Sequence, residues 1–385
     1  MRRVEAPPRE PADSAAARRL AWRLAIGFVI ASLLLMTFPG RVALFLLHLI
    51  WPPALPTPLA LVSPAPHVRR VAFPSPSGRR LVAEIYRPGA GRSPFPGLMV
   101  HTPATRPGLA NPQLRRLLAG LARLGYVALA AFPEGHPIPY ASEADLDDAA
   151  AVLAFLGRLP EVDATRTIAA GFSYGAGPLL LAIARRHPAE PPQRVLLLGG
   201  YADLEEFFRF ATTGAYRFRD HAGRFPPHPY VREMATRTAL AWIPADQRPR
   251  LLPTGAIVLP PDSTPLARTV VELLINRDPV RFDELYARLP RRLRERVAAM
   301  SPVHVAPAIR RPVHLLHPRD DPYVPYTESL RLWAALPPES RAQLALPGGL
   351  GHGLPTRREW RRPRALIGAL RVVYSFCRRA LEPPP

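Results

Sequence analysis

Ile168-Ala-Ala-Gly171-Phe172-Ser173-Tyr174-Gly175-Ala176-Gly177 decides how this chain is read. A short apolar run meets a serine held between two glycines in the spacing G-x-S-x-G. A helical pattern follows in Leu179, Leu180, Leu181, Ile183 and Ala184. This order predicts a strand, a sharp turn and a helix, with the Ser173 hydroxyl presented at the tight point. Gly171 and Gly175 are expected to make room there, because a Cβ would crowd a backbone bent that hard. The string itself is common. Its placement after a strand and before a helix makes Ser173 a candidate nucleophile.

The rest of the chain supplies alternating elements. Val68–Phe73 and Leu81–Tyr86 read as a hairpin turned at Ser77-Gly78. Pro96–His101, Tyr126–Ala131, Thr167–Ala170, Val195–Gly199, Val313–His317 and Gln343–Leu346 read as buried strands. Leu114–Leu124 and Ala144–Leu156 have helical spacing; the first closes on Gly125. The second opens on Glu143, Asp145, Asp147 and Asp148, which suit a helix N-terminus. Strands alternating with helices predict an α/β fold with a mostly parallel, doubly wound sheet. The rhythm breaks between Tyr201 and Ile309, where aromatic, arginine-rich, helical stretches predict a mainly helical cap inserted between two core strands. The helix read over Arg361–Leu381 is expected to close the fold, with a basic face against anionic lipid as a lesser role.

The chain has 385 residues, a formal charge of +21 and a pI near 11.3. All 51 basic residues are arginine, and there are 51 prolines. The arginines are scattered, often as pairs such as Arg18-Arg19, Arg69-Arg70, Arg79-Arg80 and Arg361-Arg362. They lack aromatic interleaving, which argues against nucleic acid as a partner. A single cysteine, Cys377, excludes an intrachain disulfide and a Cys-based metal site. No motif points to a metal, nucleotide or flavin cofactor.

Leu24–Phe38 is wholly apolar or small, and after Pro39-Gly40-Arg41 the chain is apolar again from Val42 to Trp51 apart from His48. A spanning helix needs about 20 apolar residues. Residues 24–51 are therefore expected to form a membrane anchor, with Val42–Trp51 as its extension or an interfacial helix. A cleaved signal peptide, a shallow hairpin or a soluble arm packed on the domain are the alternatives. Arg2, Arg3, Arg9, Arg18, Arg19 and Arg23 precede the run and only Arg41 follows before Arg69. Residues 1–23 then form a cytoplasmic tail and the bulk of the chain lies outside. The proline-studded residues 52–66 predict a stiff linker, and residues 67–385 the globular domain with its cap at about 201–309.

Serine chemistry needs a base and a carboxylate to orient it. In a doubly wound sheet the loops at the strands' carboxyl ends gather in one crevice. Two such loops carry candidates: Pro318-Arg319-Asp320-Asp321-Pro322-Tyr323-Val324-Pro325 and Pro347-Gly-Gly-Leu-Gly-His352-Gly353. Asp320 and Asp203 remain alternatives for the acid. The remaining histidines, among them His101, His136, His221 and His304, lack such placement.

With Gly171-Phe-Ser173-Tyr-Gly175, Asp321-Pro-Tyr-Val-Pro325 and Gly351-His352-Gly353 in the order Ser, Asp, His, the chain resembles the α/β-hydrolases. The kind is that of dienelactone hydrolases, serine esterases and peptidases, and the likeness runs from about Val68 to the C-terminal helix. The resemblance implies a triad of Ser173, Asp321 and His352, since the acid in such enzymes directly precedes the Pro-x-Val-Pro run. It implies an oxyanion hole from the backbone N–H of Tyr174 and of a residue after the third strand. There the chain departs from the family's His-Gly-Gly: it has His101-Thr102-Pro103-Ala104. Proline has no N–H, which leaves Thr102, Ala104 or a shifted neighbour. The implied activity is hydrolysis of a small-molecule carboxylic ester through an acyl-enzyme. Peptide cleavage or acyl transfer on the same triad, and a membrane-tethered module without catalysis, are the alternatives. Oligomeric state is not legible.

Overall fold

The computed structural model describes residues 22, 33, 35, 37–52, 55–102, 107–135, 142–186, 188–252, 256–352 and 363–383. Its centre is an eight-stranded sheet. The strands are β1 (His67–Pro74), β2 (Arg80–Arg87), β3 (Phe95–His101), β4 (Val127–Pro133), β5 (Val162–Phe172), β6 (Arg194–Leu198), β7 (Val313–Leu316) and β8 (Arg341–Ala345). Their order is β1-β2-β4-β3-β5-β6-β7-β8. Only β2 runs against the others; β4-β3-β5-β6-β7-β8 pair in parallel. The fold is α/β with a mostly parallel central sheet, as its apolar strands demand. Every residue of β3 is buried, because helices cover both faces of a parallel sheet.

Alternation along the strands sends side chains into two cores. In β6, Val195 and Leu197 face one and Leu196 the other; in β5, Ala169 opposes Ile168 and Ala170. The helices so far in play are α1 (Phe38–Ile50), α2 (Pro58–Val62), α3 (Pro112–Leu124), α4 (Glu143–Gly157) and α5 (Ala176–Arg185). The first core is filled by α4, α5 and the cap; α1, α3 and the C-terminal helix fill the second.

Between β6 and β7 the chain leaves the sheet for a long, mainly helical excursion. It holds α6 (Leu204–Thr213), α7 (Pro229–Leu240), α8 (Pro265–Ile275), α9 (Pro279–Ala287) and α10 (Arg291–Ala299). A small hairpin, Ala215–Phe218 against His221–Arg224, was not expected. Past β7 come α11 (Thr327–Ala335) and α12 (Pro363–Ala380). Phe376 and Leu366 of α12 are buried, as expected of a helix closing the fold.

The N-terminal expectation needs correction. Among the described residues no helix is long and apolar enough to cross a membrane. Of the anchor read over 24–51, most of Leu24–Met36 lies outside the described residues. Its second half is α1, a helix docked on the domain. Phe45 packs so tightly on α3 that a Cβ on Gly120 would stand 2.8 Å from its ring. His48 pairs with Thr57 Oγ1 at 2.8 Å and with the Arg116 carbonyl at 3.1 Å. Pro39, read as a break, sits in the first turn of α1, where Thr37 caps Gly40 and proline costs no helical hydrogen bond. Nor is 52–66 uniformly extended. Thr57 caps α2, and Leu59 is fully buried.

Candidate active site

Ser173 stands where β5 ends and a single 3-10 turn, Ser173–Gly175, leads into α5. Its φ is +53°, a left-handed conformation that costs an L-residue about 1–2 kcal/mol. Such strain survives only where surrounding structure enforces it, and it concentrates at functional sites. The enforcement is visible at Gly171, where a Cβ would lie 2.7 Å from the Ala176 Cα. Gly175, by contrast, has an ordinary helical φ of −63°. The Tyr174 N–H lies in the first turn, where helices leave N–H groups without an intrahelical acceptor.

The acid and base loops meet beside this turn. His352, past β8, donates from Nδ1 to Asp321 Oδ2 at 2.6 Å. Asp321 is fully buried, and its Oδ1 accepts from the N–H of Tyr323 at 2.7 Å and of Val324 at 3.2 Å. The corner after β6 joins this pair to the elbow. A Cβ on Gly199 would stand 3.2 Å from both Asp321 Oδ2 and His352 Cε1. One on Gly200 would lie 2.3 Å from the Ala176 Cβ and 3.4 Å from the Ser173 carbonyl oxygen. Two consecutive residues thus touch the Asp–His pair and the serine turn.

The two alternative acids have other partners. Asp320 accepts from the Gly349 N–H at 3.0 Å, fastening the two loops together. Asp203 caps α6 by accepting from the Glu205 N–H at 2.9 Å. Thr102 is partly buried just past β3. Pro103–Arg106, where the other oxyanion donors were sought, lie outside the described residues, as does His136. Among the described residues no three His, Cys, Asp or Glu side chains gather as a metal site.

Several participants were missed. His317, at the end of β7, is fully buried; its Nε2 donates to the Val324 carbonyl at 2.8 Å and stands 3.6 Å from Asp321 Oδ2. The Ser329 hydroxyl donates to its Nδ1 at 2.7 Å. A carbonyl can only accept, so the tautomer is fixed as Nε2–H. Burial lowers its pKa and keeps it neutral. Its position four residues before Asp321 was the available signal. On the other side, the Tyr174 hydroxyl donates to Asp145 Oδ2 at 2.8 Å. Arg79 bridges Asp145 and Asp148 at 2.8 and 2.9 Å. Burial raises the pKa of both Tyr174 and Asp145. His101 is buried, its Nε2 has no partner among the described residues, and burial brings its pKa down to about 4.

Beneath the Gly199-Gly200 corner, Glu328 Oε2 accepts from the N–H groups of Ala202 and Asp203 at 2.9 and 2.8 Å. Burial pushes this carboxyl up to about 7 against the opposing pull of Arg331. A folded-state pKa above the unfolded one means that ionisation costs stability. That contribution falls as pH rises from about 4.5 through about 7. Glu328→Gln keeps an acceptor for both N–H groups and removes the charge. Its melting temperature is expected to drop less than that of the parent between about pH 5 and about pH 8. Equal drops in thermal melts would show that another group carries the pH dependence.

Comparison with known proteins places these features in context. No family model and no curated protein matches the chain. Solved structures do. The esterase domain of a Rhodothermus marinus protein is 16% identical with a TM-score of 0.44, over 82% of this chain and 100% of that one. Brefeldin A esterase, described as a bacterial homologue of human hormone-sensitive lipase, is 14% identical with a TM-score of 0.47, over 90% and 87%. The Pyrococcus horikoshii acylaminoacyl peptidase is 14% identical with a TM-score of 0.48, over 85% of this chain and 44% of that one. The chemistry proposed for this chain rests on its own residues.

Proposed function

We propose that this chain is a serine hydrolase of the α/β-hydrolase kind that cleaves a carboxylic ester through an acyl-enzyme. The observation that carries the reading is the 2.6 Å bond from His352 to buried Asp321, beside a serine held at positive φ. With Nδ1 donating to Asp321, the neutral ring keeps its lone pair on Nε2. That nitrogen takes the Ser173 proton as the oxygen attacks the ester carbonyl. The Tyr174 N–H, with Thr102 or a neighbour, stabilises the oxyanion. His352 then returns the proton to the departing alkoxide, and water, activated in the same way, releases the acid.

The test is a panel of short p-nitrophenyl esters and matched anilides, run beside fluorophosphonate labelling. Ester turnover with labelling supports the reading; preferential anilide cleavage moves it to a peptidase. Labelling with hydrolysis only in the presence of an added alcohol moves it to an acyltransferase. Neither labelling nor turnover leaves a module without catalysis.

The proposal includes membrane attachment through the residues before α1, with the domain on the extracytoplasmic side. The composition of Leu24–Phe38 and the arginine asymmetry support it. So does the concentration of exposed large apolar side chains at Trp22, Leu33, Leu35, Leu47, Leu55, Leu61 and Val62. The full chain is expected to sediment with membranes after a high-salt wash; recovery in the supernatant overturns the attachment.

A further inference from the structure

His352 sits on a glycine-rich loop that Asp320 fastens at the Gly349 N–H and that buried Leu350 anchors. Gly349 and Gly351 have φ of +76° and +50°, and the residue after His352 is again glycine. The bond from Nδ1 to Asp321 pins one atom of the ring and does not by itself fix its plane. The direction in which Nε2 points depends on that plane.

The ring is also stacked. Tyr323 lies against His352 with ring centroids 4.4 Å apart and planes 25° apart. On Tyr323 lies a second histidine, His228, at 4.2 Å and 18°. His228 comes from the cap, and two hydrogen bonds hold it there without touching His352. Its N–H donates to the Pro322 carbonyl at 2.8 Å. Its Nδ1 accepts from the Tyr230 N–H at 3.2 Å, capping α7. Burial, with the nearby His352, lowers its pKa, which suits a ring that must accept that N–H. Tyr323 is also held by its backbone, whose N–H binds Asp321.

On the proposed triad, we infer that His228 is a positioning residue for His352. Through Tyr323 it holds the imidazole plane so that Nε2 faces Ser173, and it makes the cap part of the catalytic geometry. Asp321 selects the tautomer, and the stack selects the orientation.

Two substitutions separate this role from the capping of α7. Asparagine is a good N-cap without a stacking ring; phenylalanine stacks but cannot accept the N–H. Given the worth of an aromatic pair, His228→Asn is expected to lower kcat about threefold to tenfold. KM and melting temperature should change little, and fluorophosphonate labelling should slow by the same factor. His228→Phe is expected to restore kcat at a lower melting temperature. Tyr323→Leu, which removes the centre of the stack, should lose at least as much kcat. The double variant His228→Asn/Tyr323→Leu should lose no more than Tyr323→Leu alone, because both act through one contact. An unchanged kcat and labelling rate in His228→Asn, or losses that multiply in the double variant, overturns the inference. Turnover that survives in Ser173→Ala would instead overturn the triad on which it rests.

Discussion

Ser173→Ala is expected to fold as the parent does, to lose all fluorophosphonate labelling, and to lose ester hydrolysis by a factor on the order of 10⁴–10⁶. The size follows from the loss of the nucleophile, since the oxyanion donors alone leave a small residual rate. Folding should survive because alanine keeps the Cβ that already sits at φ +53° and because the apolar packing around Ala176 and Gly200 does not involve the hydroxyl. Ser173→Gly makes an informative companion. It should be equally inactive, but it relieves a left-handed L-residue. Its melting midpoint should match or exceed the parent's, with a gain of no more than about 1 kcal/mol. A dead enzyme that is at least as stable would identify the strain as a cost borne for presenting the hydroxyl. Retention of more than about 1% of kcat in Ser173→Ala would mean that another group attacks the substrate, because water acting alone reaches no such rate.

What the sequence makes legible is what short-range pattern encodes. The strands, the elbow and the cap's place between β6 and β7 follow from apolar runs, glycine spacing and helical periodicity. α1 did not read correctly for a physical reason: an apolar face is the same sequence whether it meets lipid or protein. The close contact at Gly120, the paired His48 and the bond from Arg41 to the Arg123 carbonyl show that its partner is α3. Thr57-Pro58, a cap followed by a proline in the first turn, was a local signal for α2, hidden among the prolines of the supposed linker. At the site, Asp320 and Asp321 are neighbours with equal claims by position, and their difference is three-dimensional. One is buried under His352; the other faces Gly349. Nothing local could pair His228 with His352, since the cap brings them together around a tyrosine of a third segment.

Asp321→Asn is expected to be nearly as damaging as loss of the serine, with the fold left intact. The geometry dictates which way the new amide must turn. Oδ1 faces two backbone donors, the N–H groups of Tyr323 and Val324, so the amide oxygen must take that place. An NH₂ there would oppose two N–H groups in a fully buried site. The NH₂ then points at His352 Nδ1, where the carboxylate had accepted. The imidazole must answer by accepting on Nδ1 and carrying its proton on Nε2. A ring in that tautomer has no lone pair to take the Ser173 proton, and kcat should fall on the order of 10⁴-fold. Asp320 offers no rescue while it is bound to the Gly349 N–H. Asp321→Ala should be equally slow but also less stable, by about 1–3 kcal/mol, because two buried N–H groups lose their acceptor. Asp320→Asn, at an exposed position that never touches the imidazole, should leave kcat within a few-fold of the parent. Steady-state rates on one p-nitrophenyl ester, with a thermal melt for each variant, separate these outcomes. If Asp320→Asn falls further than Asp321→Asn, the acid has been assigned to the wrong member of the pair.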